Sequence, residues 1–212
     1  MIDKNEYSPF DVEAYLRLVQ SFHGHIAPGV VIGGFMVHLA KGRIPEGVLF
    51  KAICETSTCL PDAIQLLTPC TIGNGRLDIV NFGRFALSLY DKDLGNGFRV
   101  FIDSKKIDKW PEIKNWFFKL IPKSEQKKDL LLAQIKESGQ NLCEIEPIQV
   151  QSKFLKEEKR GEIVICPSCQ EAYPAKDGEV CRGCQWQSPY VISETSKECI
   201  LTFYTLKSHG VY

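Results

Sequence analysis

Two cysteine pairs carry the strongest chemical signal in this sequence: Cys166-Pro167-Ser168-Cys169 and Cys181-Arg182-Gly183-Cys184, with eleven residues between them. A Cys-x-x-Cys turn directs two thiolates at one ion, and two such turns complete a tetrahedral four-sulfur shell. The intervening Gln170–Val180, with Pro174 and Gly178, is expected to form a hairpin that brings the pairs together. A segment this small buries too little apolar surface to fold alone, so the ion would supply much of its folding free energy. A thioredoxin-like dithiol would need one pair opening a helix inside a βαβ unit, a context missing here. Iron shares the ligand type, but zinc leads among the metals. With all four ligands from the chain, the reading is a structural zinc site.

A second group lies toward the amino end. His23-Gly24-His25-Ile26-Ala27-Pro28-Gly29 places two imidazoles at a helix–turn–helix junction, where they either face a cleft or cap helix carbonyls. Cys59 stands at the expected amino end of a short helix. Unpaired amides and the helix dipole there are expected to stabilise a thiolate and lower its pKa. Cys70 lies in a glycine-bearing turn, Thr68–Arg76. Cys54, Cys143 and Cys199 read as small buried hydrophobes.

The elements that must position these residues are well punctuated. Ser8, Pro9 and Asp11 signal the start of a first helix, whose expected apolar face is Tyr15, Leu18, Val19 and Phe22, with Gly24 as its stop. Pro28-Gly29 opens a second, nearly uncharged helix running to about Ala40. It should be deeply buried, and Gly33-Gly34 lets another backbone approach. Leu49–Glu55 reads as a strand, Pro61–Leu67 as a short helix and Leu77–Asn81 as a strand. Phe85–Tyr90 and Phe98–Ile102 form an expected hairpin turned by Gly95-Asn96-Gly97. An amphipathic helix over Ile113–Ile121, stopped by Pro122, precedes another capped by Ser124 and ended by Gly139. Ile145–Val150 completes the strands. The order suggests an α+β fold, helices on a mainly antiparallel sheet, followed by a small zinc-ribbon or treble-clef unit. The boundary is expected near 160, dividing residues 1–160 from 161–212.

Composition narrows the function. The 212 residues balance 26 Lys+Arg against 26 Asp+Glu, and both parts of the chain share that balance, so no basic excess supports nucleic-acid binding. The longest uncharged apolar stretch, Ile26–Val37, is too short to cross a bilayer. The amino end is polar and lacks a signal-peptide core, so the expected location is cytoplasmic. Nine cysteines, an odd number, point to metal or thiol chemistry rather than a disulfide framework.

Three stretches together resemble the FmdE family, named for the FmdE subunit of formylmethanofuran dehydrogenase, over about residues 8–105. The matches are His23, Gly24, His25, Pro28 and Gly29; then Cys59, Asp62, Ala63, Ile64 and Gln65; then Thr68, Cys70, Thr71, Gly73 and Gly75. Asn81–Ala86 is similar to a further family segment. Ala27 stands where the family has a cysteine, Pro69 replaces a glycine and Asn74 replaces a lysine. The resemblance implies a zinc-binding accessory protein serving a molybdenum or tungsten redox enzyme, whose partners would be that enzyme's subunits. It also implies a homodimer, to which the aromatic residues around Trp116 would contribute. With Ala27 lacking sulfur, a second transition-metal site would rest on His23, His25, Cys59 and Cys70. Two rival readings stand beside it. One is an enzyme using Cys59 as nucleophile with His23 as acid/base; the other is a zinc-finger interaction module without catalysis.

Overall fold

The computed structural model describes residues 11–156 and 161–190. The chain divides into two compact units, Met1–Lys156 and Glu157–Tyr212, each described by itself. The first helix, α1 (Val12–His23), is capped by Asp11, whose side chain accepts the Ala14 amide at 2.9 Å, and ends at Gly24 with φ 85°. Ser8 and Pro9, expected to open this helix, lie outside the described residues. Its buried face is Tyr15, Leu16 and Val19; Leu18 and Phe22, expected inside, are 48% and 56% exposed.

The second helix, α2 (Pro28–Lys41), is the axis of the core, with ten of its fourteen residues buried. Its paired glycines are contact surfaces. A Cβ on Gly33 would stand 2.7 Å from the Ala63 Cβ, and one on Gly34 would overlap the Tyr15 ring. The chain continues through β1 (Phe50–Cys54), α3 (Leu60–Leu67), β2 (Leu77–Ile79), β3 (Ala86–Asp91) and β4 (Asn96–Ile102). Two further helices, α4 (Pro111–Phe117) and α5 (Lys128–Ser138), precede β5 (Cys143–Gln149) and the short α6 (Ser152–Leu155). The sheet order is β2-β1-β3-β4-β5, parallel at β1–β2 and antiparallel elsewhere. The fold is therefore α+β on a mainly antiparallel sheet.

Ala52, Cys54, Leu87, Leu89, Val100 and Ile102 face α2 across one core, joined by Leu131 and Ile135 of α5. Cys54 and Cys143 are buried in it. Helix α4 stops at Phe117 rather than continuing to Ile121, because Lys119 adopts a positive φ of 53° that breaks the helical path. Ser124 does not cap α5 either; Lys127 holds that position, after a 3-10 turn at Lys123–Glu125. Trp110, Trp116 and Phe117 pack against the core, while Phe118 is exposed.

In the second unit, β6 (Ile163–Ile165) and β7 (Ala172–Pro174) form a two-stranded antiparallel hairpin. The first cysteine pair sits in the turn of this hairpin, so only its second strand falls within Gln170–Val180, and the first precedes Cys166. A kinked turn, Gly183–Gln187, starts inside the second pair and carries Trp186 at a positive φ of 63°. Cys199 lies outside the described residues.

Candidate functional site

The site in the core grows from two helix starts that meet at one sulfur. Between β1 and α3, Leu60 N–H donates to Thr58 O at 2.6 Å, closing a three-residue turn centred on Cys59. Cys59 has φ 59° and ψ −56°, a γ-turn conformation costly for a residue with a Cβ, at about 1–3 kcal/mol. That turn lays the Cys59 side chain against the start of α2. The Val30 amide reaches its sulfur. A Cβ on Gly29 would stand 2.8 Å from the Cys59 Cβ and 3.0 Å from its Sγ. Glycine at 29 thus makes room for the sulfur.

The junction between α1 and α2 supplies the imidazoles. His23 Nδ1–H donates to Asp62 Oδ2 at 2.6 Å, and the His25 ring centroid lies 4.9 Å from that of His23. A carboxylate on Nδ1 fixes the tautomer and leaves Nε2 with its lone pair. Tyr15 buttresses the junction from below: its hydroxyl donates to Val30 O at 2.7 Å. Burial, with Asp62 and Cys59 beside it, holds that hydroxyl protonated.

His23, His25 and Cys59 all line one cavity of about 1100 Å³. Ala27, Trp116, Leu131 and Leu132 give it apolar walls, and the irregular stretch from Lys119 to Lys123 covers another side. Burial, followed by the Asp62 charge, raises the Cys59 thiol above its ordinary value. Lys123 and the Val30 amide only partly oppose them. The thiol thus shifts opposite to the lowering expected from the helix dipole, because burial outweighs the helix end.

Cys70 goes elsewhere. It is fully buried, and its thiol donates to Phe50 O at 3.5 Å, away from the cavity lining. Asp62 is the residue that sequence reasoning undervalued. Its signal was its place three residues after Cys59, inside the first turn of α3.

The finger is assembled more tightly. Cys166, Cys169, Cys181 and Cys184 bring their sulfurs to within 4.8 Å of one another, and among the described residues they are the group of three or more His, Cys, Asp or Glu that does so. Cys166 and Cys184 sulfurs are 3.9 Å apart, and those of Cys169 and Cys181 are 3.6 Å apart. A zinc–sulfur tetrahedron has edges of about 3.8 Å. The donor set and its size fit zinc. The Cys181 amide donates to Cys166 Sγ at 3.4 Å; together with the Cys169 amide it pulls that thiol down to about 6, easing the loss of its proton to a metal. The core residues share a cavity without forming such a closed cage.

The family model described as "FmdE, Molybdenum formylmethanofuran dehydrogenase operon" matches residues 22–151, and that of the FmdE treble clef zinc finger matches 157–191. A probable S-adenosyl-L-methionine-binding protein of Archaeoglobus fulgidus is 29% identical over 190 residues, covering 80% of this chain. The alignment takes in 52% of that relative, so this chain spans about half its length. A crystal structure of a tungsten formylmethanofuran dehydrogenase FmdE-like protein from Syntrophus aciditrophicus superposes with a TM-score of 0.80 at 51% identity. The match covers 89% of this chain and 98% of that one. Among the described residues no helix is long and apolar enough to cross a membrane. With the core model spanning more than half of its residues and the finger model following, this chain belongs to the FmdE family, in the form that ends in a treble clef zinc finger.

Proposed function

We propose that this protein is a metal-binding accessory protein related to the FmdE subunit of formylmethanofuran dehydrogenase, with zinc in the finger and a second transition-metal ion in the core cavity. The ligands of the second ion are His23, His25 and Cys59. The observation that carries this reading is the Asp62 carboxylate on His23 Nδ1, a pairing that orients imidazole ligands and strengthens their basicity. Imidazole and thiolate together suit zinc and related transition metals. A set of three protein ligands leaves a coordination position for a bound molecule, and the cavity provides the space for one. Cys70, buried against Phe50, stays outside this set.

The strained turn at Cys59 also favours a second reading, a thiol nucleophile, since such strain clusters at reactive residues. Burial raises that thiol, however, so an unassisted thiolate is scarce at neutral pH. A metal ion removes the difficulty by taking the sulfur as thiolate. In the accessory role, the protein acts as a homodimer alongside a redox metalloenzyme or its metal supply, within the cytoplasm.

Elemental analysis of the purified full chain tests the proposal. The expected metal-to-protein ratio is near two, falling to one in Cys59→Ser. A ratio of one that ignores the substitution leaves only the finger and ends the core-metal reading.

A further inference from the structure

The cavity has a charge pattern that the metal ligands do not use. Its lining includes three lysines, Lys119, Lys123 and Lys128, against one carboxylate, Asp129. In a chain whose charges sum to zero, this is a local excess of two positive charges around one opening. Among the described residues none of the three lysines forms an ion pair, whereas the adjacent Lys127 lies 3.9 Å from Glu112. Lys123 is close enough to act electrostatically on the Cys59 sulfur.

The rest of the lining is of the opposite character. Trp116 presents an aromatic surface, braced edge-on by Phe85 with ring centroids 6.5 Å apart. Leu131 and Leu132 extend the apolar wall along α5. The opening turn of α2 carries no acidic residue and no side-chain cap, so its amides add positive potential at the His–Cys end. An apolar chamber of about 1100 Å³ with cations at its mouth matches a molecule of drug size that has a hydrophobic body and a negative head.

We infer that the cavity binds an amphipathic organic anion, its apolar or aromatic body against Trp116, Leu131 and Leu132 and its carboxylate or phosphate head among Lys119, Lys123 and Lys128. This rests on the reading of the cavity as a binding site, but not on the second metal. The ligand's head would meet the lysines while its body passes the His23–Cys59 end.

Fluorescence titration of the full zinc-loaded chain tests it, with anilinonaphthalene sulfonate as the anionic probe and N-phenylnaphthylamine as its uncharged counterpart. The anion is expected to bind more tightly, and added salt to narrow the difference. Replacing the lysines together (Lys119→Gln, Lys123→Gln and Lys128→Gln) should weaken the anion about tenfold and leave the neutral dye unchanged, since three exposed charge contacts multiply to that order. Decanoate and decyl phosphate should displace the anionic dye where decanol does not, and whichever acid competes better identifies the head group. Equal binding of the two dyes, or indifference to the lysine replacements, overturns the inference. The same titration in Cys59→Ser separates the two proposals. Anion preference retained there, whatever the metal content, shows that the lysine mouth acts on its own, and its loss there refutes that independence.

Discussion

His23 and Asp62 are 39 residues apart in the chain, yet the imidazole Nδ1 and the carboxylate Oδ2 meet at 2.6 Å. The contact bridges the end of α1 and the first turn of α3, so it depends on both helices packing on α2. A short polar contact built from three helices sets an imidazole with some accuracy, because none of its supports is a loose loop.

If the core holds the proposed second metal, Asp62→Asn should lower its affinity by roughly 10–100-fold, the cost of losing a carboxylate behind a histidine ligand. Competition against a coloured chelator measures it. The thermal transition of the core serves as control and should move little. An unchanged affinity would remove Asp62 from the site.

The backbone at Cys59 yields a test of strain. At a φ of 59°, glycine is more comfortable than any residue with a Cβ. Cys59→Gly should thus be more stable than Cys59→Ala by about 1 kcal/mol, the reverse of the usual order. Urea denaturation of the two variants decides the point. An alanine variant more stable than the glycine one would mean that the turn carries no strain.

Thiol labelling checks the electrostatics of the same residue. Burial, then Asp62, raises the Cys59 thiol above its ordinary 9.0. In metal-free protein at neutral pH it should react more slowly than free cysteine, and its rate should still be climbing beyond pH 9. Fast labelling at pH 7 would favour the nucleophile over the metal ligand.

Metal removal should act on the two units unequally. Among the described finger residues, only Cys166 and Tyr173 are buried, too little apolar surface to hold a fold. A strong chelator, or Cys166→Ser, should collapse the amide dispersion of residues 161–190 in NMR spectra while the core amides keep theirs. Survival of the finger signals after zinc extraction would refute a metal-dependent fold.

Acid should reach the sheet through Glu55. This carboxylate is 5% exposed and is held by Arg99 at 2.6 and 3.0 Å and by Arg84 at 2.7 Å. Burial pushes its carboxyl up, but the Arg99 hydrogen bonds and the charges of both arginines outweigh that and hold it below its ordinary 4.5. A depressed folded pKa stabilises the fold above the unfolded value. The contribution is complete above about pH 4.5 and is lost as pH falls through the folded value. Glu55→Ala should cost about 2 kcal/mol at pH 7 by removing the charged hydrogen bonds to Arg99 and Arg84, with Arg99 left to Glu146 alone. It should also flatten the acid limb of the stability profile. An unaltered acid limb would assign the sensitivity to another group.

Local signals made most elements legible. Pro28 and Gly42 bracket α2, Gly24 and Gly139 end α1 and α5, and the two cysteine pairs announce the finger before any fold is known. Phase was harder. Tyr15-Leu18-Val19-Phe22 and Tyr15-Leu16-Val19 satisfy the same helical period, and only the packing of α1 on α2 and α3 selects the second. The early end of α4 was hidden because Phe118, Leu120 and Ile121 continue an apolar pattern that the backbone leaves at Lys119. In the core site, His23, His25 and Cys59 were visible as residue types, but Cys70 belonged to the same apparent motif and faces β1 instead. Direction along a turn is not encoded by spacing. Asp62 and the lysines around Trp116 acquire meaning only when distant segments meet.

The glycine contacts of α2 give the cavity one hard wall. Gly29 lies against the Cβ and Sγ of Cys59, while Gly33 seats α3 and Gly34 seats Tyr15 at distances that tolerate no extra atom. The facing stretch, 118–127, contains one 3-10 turn and no α-helix. Any breathing of the chamber is expected on that side, where fewer regular hydrogen bonds hold the backbone. A guest of larger girth would have to be accommodated there, with the corner around Cys59 keeping its shape.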